Sequence, residues 1–293
     1  MREYEIVTDV NGDLPQDYIR EHQLPIMSTT CTMGDVTEYC DQMNDFPGFY
    51  AQMREGAKPI TGQVTPAVVM DTARPILEAG KDILFLCFSS ALSGSYNSTC
   101  VAAEELREEF PDARLIVIDG ISASMGQGLL IHHMLLKKAA GLSLDELAAW
   151  TEEHKKNVMH YFTVEDLFHL QRGGRLSKTS AIVGSILSVK PMLYIDENGG
   201  LKPHGKVRGR KKSITTLAQY AVNAVRAMPK EENPILFISH GDCPDDVAFL
   251  QEEIKKELGE IPFLVHYIGP SIGTHSGPGT LAVFCMGPDR ETV

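Results

Sequence analysis

One segment narrows the fold more than any other. Residues 82–89, DILFLCFS, form an almost unbroken apolar run. A strand that is apolar on both faces has to be covered on both faces, as in a parallel sheet flanked by helices. Its surroundings fit that arrangement. Tyr4 to Thr8 and Arg114 to Asp119 read as further strands, and between the last two strands Tyr96, Cys100, Ala103, Leu106 and Phe110 recur at helical spacing. Helices are also expected over residues 65–79, 124–140 and 143–157. Thr65-Pro66 supplies a cap followed by proline at the first helical position, and Pro75 is expected to kink that helix.

The charged stretch TEEHKKN closes the last of these helices, and a new strand begins at His160. That places a boundary near Asn157, with an N-terminal α/β domain over 1–157 and a C-terminal α/β domain over 158–293. A chain of 293 residues exceeds what one core usually supports, so two domains are the natural division. In the second half, IDENGGLKP reads as a hairpin around Asn198-Gly199-Gly200. A helical stripe (Ile214, Leu217, Ala218, Ala221, Val222, Val225) follows, then strands at 235–239, 263–268 and 281–286 and a helix at 244–258.

Composition excludes several classes. The hydrophobic fraction of 43% and charged fraction of 23% are those of a globular protein. A net charge of -12 argues against a general binder of nucleic acid or anionic membrane, since phosphate contacts need basic surface. The chain enters its first strand directly and has no apolar run near the roughly 20 residues that span a bilayer, so a cytoplasmic protein is expected. Six scattered cysteines without a C-x-x-C pair read as reduced, mostly buried thiols rather than a metal site.

Three segments stand out chemically. SSALSGSYNS, 89–98, joins a buried strand to a helix, where free N–H groups and the helix dipole attract an anion and Ser93 or Ser95 can cap. ITGQVTP, 60–66, puts Thr61 and Gln63 where a strand end enters a helix, which ordinary turn chemistry also explains. IGPSIGTHSGPGTLAVF, 268–284, reads as a glycine-rich loop holding His275; it lacks the P-loop lysine and precedes a strand. Basic residues also cluster at Arg172, Arg175 and Lys178, and at Lys202, His204, Lys206, Arg208, Arg210, Lys211 and Lys212. On an acidic chain this is either a solvated face or a docking surface for an acidic partner.

Taken in order, TDVNGDLP, ITGQVTP, SSALSGSYNS, FTVEDLFHLQRGGRLS, KPMLYIDENGGLKPHGKVRGRKK and GTHSGPG make the chain resemble the DegV family of bacterial fatty-acid-binding proteins along nearly its whole length. The resemblance implies two α/β domains with a long-chain fatty acid between them. It implies a carboxylate held by Thr61, Ser93 and His275, with the Gly94 N–H beside them. It also implies a substrate carrier rather than an enzyme. A separate ATP-dependent fatty acid kinase, similar to dihydroxyacetone kinases, would phosphorylate the bound acid for phospholipid synthesis, with Arg175 and Arg208 contacting that kinase. No cofactor is implied, and no glycine loop of Walker or kinase type is present. Two residues depart from the pattern: Gly62 stands where the family usually has serine, and Val64 where it usually has proline.

Two rival readings use the same residues. Ser93, His275 and Asp9 or Asp119 are the residue types of a hydrolase triad, although Ala91-Leu92-Ser93-Gly94-Ser95 lacks the first glycine of G-x-S-x-G. A carrier of some other small amphiphile would need the same pocket chemistry.

Overall fold

A computed structural model describes residues 2–176 and 189–290. Strand β1 (Tyr4–Asp9) is buried along most of its length and is followed by helix α1 (Gln16–Glu21). Three short strands come next, β2 (Ile26–Met27), β3 (Thr30–Met33) and β4 (Val36–Tyr39). Helix α2 (Phe46–Arg54) is capped by Asp45, whose carboxylate accepts the Gly48 N–H. Strand β5 (Ile60–Thr61) leads into α3 (Pro66–Glu78), capped by Thr65, with Pro75 retained inside one continuous helix. The apolar run becomes β6 (Asp82–Cys87), buried at every residue. Helix α4 (Ser95–Glu109), strand β7 (Leu115–Asp119) and helices α5 (Met125–Ala139) and α6 (Leu144–His154) follow. The last opens with a reciprocal capping box between Ser143 and Glu146.

The remaining elements are β8 (Val158–Thr163), α7 (Phe168–Arg172), β9 (Val189–Ile195), β10 (Leu201–Arg208), α8 (Arg210–Arg226), β11 (Leu236–His240), α9 (Pro244–Leu258), β12 (Phe263–Tyr267), α10 (Pro270–Ser276) and β13 (Leu281–Met286). They build a mixed sheet in the order β10-β9-β8-β13-β11-β12. The first half builds a parallel sheet, β2-β1-β6-β7, and a small antiparallel one, β4-β3-β5.

Helix α5 explains how the two larger sheets are joined. Its residues from Met125 to Ile131 are all buried, a pattern that suits a helix covered all round. One core cluster takes Ile6 and Leu86 from the parallel sheet, Leu130 and Leu147 from α5 and α6, and Phe237 and Phe284 from the mixed sheet. The outer faces are covered separately, the parallel sheet by α3 and α4 and the mixed sheet by α8 and α9.

Two expectations need correction. The glycine-rich segment 268–284 is not wholly a loop, because α10 forms within it. Pro270 occupies its first turn and Gly277, at φ 81, ends it, so His275 sits on the last turn of a helix. Strands β3 and β4 and helix α2, between residues 30 and 54, have no counterpart in the sequence pattern, whereas β5 is the strand end expected before the 65–79 helix. Strands of two to four residues are too short to show a period. Lys178, one of the clustered basic residues, lies outside the described residues.

Candidate functional site

A cavity of about 800 Å³, a figure that includes the solvent at its mouth, lies where the loops after β1 and β6 meet the mixed sheet. Its apolar wall is drawn from both halves of the chain. Phe88, Leu92, Ala123 and Ile195 form one buried cluster against Leu201 and Ile272. Phe162, Ala282 and Phe284 extend the wall along β8 and β13, whose register pairs Ala282 with Phe162.

Polar side chains also line it, Thr61, Ser93 and His275 among them. Thr61 leaves β5 and His275 closes α10, and their side chains meet with Thr61 Oγ1 2.8 Å from His275 Nε2. A Cβ added at Gly173 would lie 2.3 Å from His275 Nδ1, so the backbone there approaches the other edge of the ring as only glycine permits. Ser93 also lines the cavity; its Oγ accepts the Ser95 N–H at 3.2 Å and lies 2.9 Å from Ser95 Oγ. Ser95 in turn accepts the Val64 N–H, which ties the 60–66 segment to the start of α4. Gly94 is the N-cap of α4, but it is not among the lining residues, and Gln63 Oε1 would lie 2.3 Å from a Cβ added there.

The Gly62 departure has a local reason. A Cβ at position 62 would fall 2.6 Å from Thr30 Oγ1, so a serine there would require Thr30 to move. Glycine at 62 and threonine at 30 are sterically matched.

Arg175 is the side chain whose position sequence reasoning describes least well. Expected to contact a partner, it also lines the cavity, with Nε donating to Leu92 O at 3.1 Å and Nη1 to Gly173 O at 2.5 Å. It is the one lysine or arginine among the described lining residues. Burial lowers its pKa from the ordinary value, but a guanidinium stays charged at neutral pH. Arg208, by contrast, is exposed on β10, an edge strand, with Lys206, Lys211 and Lys212 exposed nearby.

Burial, then the charges of Arg175 and Arg172, push the His275 pKa down to about 4, so the ring is neutral near pH 7. His133 and His240 are also held at about 4, chiefly by burial. These shifts fix the direction of acid sensitivity. Unfolding returns each ring to its ordinary value of 6.5, so between about pH 6.5 and 4 the unfolded chain binds more protons and stability falls as pH falls. Buried Asp13, raised to about 7, and Asp9, also raised by burial, oppose this trend over the same range. Histidines lowered by burial, His160 and His266 also among them, outnumber these two carboxyls, and denaturant unfolding is expected to show lower stability at pH 5 than at pH 7. Equal or greater stability at pH 5 would contradict these assignments.

The triad reading finds no support in the geometry. His275 bonds Thr61, and Ser93 bonds Ser95. The Asp9 carboxylate accepts from Asn11 and the Phe88 N–H, and Asp119 accepts the Ser90 and Ile121 N–H groups. Among the described residues no cluster of metal-ligating side chains occurs, and no helix is long and apolar enough to cross a membrane.

A family model described as "Uncharacterised protein, DegV family" matches residues 3–287. The chain belongs to the DegV family. The DegV domain-containing protein CPE0026 of Clostridium perfringens is 41% identical, with 99% of this chain and 100% of that protein covered. Among solved structures, a DegV family protein from Thermus thermophilus, described for its fatty acid binding, is 27% identical with a TM-score of 0.86, covering 98% of this chain and 100% of that one. DegV of Bacillus subtilis, described as a fatty acid binding protein, is 27% identical with a TM-score of 0.83 over the same shares. Both solved structures share the fold of this chain over nearly its whole length.

Proposed function

We propose that this DegV-family chain carries a long-chain fatty acid in the cavity, with Thr61, Ser93 and His275 receiving the carboxylate. In this reading the cavity separates an N-terminal domain, 1–157, from a C-terminal one, 158–293. The observation that carries the proposal is an apolar cavity ending in a hydroxyl–imidazole pair with one guanidinium beside it. The fatty acid binding described for the Thermus and Bacillus relatives supports it.

The energetics divide the work. About 15 buried methylenes at ~0.8 kcal/mol each gain on the order of 12 kcal/mol before the ordering costs of association. A carboxylate stripped of water loses several kcal/mol unless hydrogen bonds replace its hydration. The tail therefore supplies affinity, and the polar end fixes orientation. In this reading the Gly94 N–H, at the N-cap of α4 beside Ser93, completes the set of donors to the carboxylate.

The carrier then presents the carboxylate, at the open end of the cavity, to a separate ATP-dependent fatty acid kinase in the cytoplasm, and the acyl-phosphate enters phospholipid synthesis. Arg208 contacts the kinase from the edge strand, and Arg175 does so from the cavity rim. The chain itself performs no chemistry. Two substitutions test this division. His275→Ala is expected to lower kinase-dependent phosphorylation at least ~10-fold while lipid retention changes by less than ~3-fold. Arg208→Glu should weaken coupling to the kinase with the lipid still bound. Parallel loss of retention and phosphorylation in His275→Ala, or unchanged kinetics in Arg208→Glu, would contradict it.

A further inference from the structure

The helix that carries His275 follows β12 in sequence, yet its first turn is held by the opposite end of the chain. Tyr50 donates to Ile268 O at 2.6 Å, Ser271 Oγ donates to Asn11 Oδ1 at 2.6 Å, and the Gly269 N–H donates to Asp13 Oδ1 at 2.9 Å. Gly269 is the N-cap of α10. An added Cβ at that glycine would lie 2.8 Å from the same Asp13 oxygen, so the carboxylate sits directly against the helix start.

Asp13 is itself tied on every side. Its other oxygen accepts the Ser124 hydroxyl at 2.6 Å, Ser124 Oγ lies 2.8 Å from Ser239 Oγ on β11, and the Asp13 carbonyl lies 3.0 Å from His266 Nδ1 on β12. The side chain is buried, and the backbone takes a left-handed conformation, φ 49. Ser124, at the start of α5, is also left-handed, φ 52. Two non-glycine residues held in that region and bonded to each other mark a junction that the surrounding structure over-determines. One carboxylate thereby joins the loop after β1, the start of α5 and the start of α10.

We infer that Asp13 is the positioning residue of the head-group site: by holding the first turn of α10 against the loop after β1, it sets where His275 stands relative to Thr61. Gly269 and His275 are six residues apart, about 9 Å along a helix, so a tilt at the start of α10 is carried to the imidazole. Asp13 does not line the ligand cavity; it acts through the helix. The consequence for a bound carboxylate rests on the fatty-acid reading, whereas the geometry of α10 does not.

Two variants separate positioning from charge. Asp13→Asn keeps an acceptor for the Gly269 N–H and offers its NH₂ to Ser124, whose hydroxyl can turn to donate to Ser239. Asp13→Gly removes the clamp and suits the left-handed backbone. The readouts are the ¹⁵N imidazole signals of His275 in unliganded protein and the ¹³C signal of bound [1-¹³C]oleate. Asp13→Asn is expected to reproduce both wild-type signals. Asp13→Gly is expected to shift both, with oleate affinity within about tenfold because the tail is untouched. If Asp13→Gly does not fold, Ser124→Gly frees the same carboxylate from its other side and is expected to shift the His275 signals less, in the same direction. His275 signals unmoved in the folded deletion variant, or an Asn variant as disturbed as Asp13→Gly, would overturn the inference. Wild-type protein that binds no oleate would instead defeat the fatty-acid reading, while the imidazole signals still decide the role of Asp13.

Discussion

Ala282→Phe is expected to lower the affinity for an 18-carbon fatty acid by at least ~100-fold. Ala282 is the second residue of β13, buried, lines the cavity and pairs in register with Phe162 on β8. A phenyl ring there fills the path of the tail. Displacing about four methylenes removes ~3 kcal/mol of burial, a factor of more than ~100 in binding. Short acids that do not reach the ring should be affected less, so the ratio of 18-carbon to 10-carbon affinity carries the information. Ala282 also belongs to the buried core, so the ring is expected to cost the empty protein some stability as well, and affinity is compared on the folded variant. Unchanged binding of the long acid would place the tail elsewhere.

Arg175→Glu is the second large effect. It puts a carboxylate beside the ligand's own in a wall that has no other lysine or arginine among the described residues. Two like charges at this half-buried position repel by ~1–2 kcal/mol, so lipid retention should fall by roughly 10-fold. Arg208→Glu, on the exposed edge strand, should leave retention at the wild-type level. The same variant tests the cause of the His275 shift. Arg175 stands after burial among the influences that depress that ring, so its titration midpoint should rise from about 4 in Arg175→Glu. Equal retention by the two variants would mean that Arg175 acts only as a surface charge.

How much of this could be read from the sequence depended on whether a residue's partner was local. Strands such as 281–286 and the helix at 244–258 match the structure at both ends, because each carries its own pattern of burial. Thr61, Ser93 and His275 each stand in an unusual local segment, only the resemblance to the DegV family implies them as a set, and all three line one cavity. Arg175 is expected to contact a partner because its neighbours in sequence are basic. Its position on the cavity wall is decided by Leu92 O, 83 residues away. The helical state of 270–276 was hidden by the glycines on either side, which read as loop. The Asp13 clamp was invisible for the same reason as Arg175: its partners Ser124 and Gly269 are 111 and 256 residues distant. Long-range hydrogen bonds leave no periodic trace in a sequence.

The most direct test of a greasy enclosure with a single acid-binding end is native mass spectrometry of protein freshly purified from a bacterial host. The account predicts a one-to-one adduct whose released mass is that of a long-chain fatty acid and which disappears in Ala282→Phe. Protein that emerges without any adduct and stays empty when offered oleate, or that retains a different class of amphiphile, would contradict it.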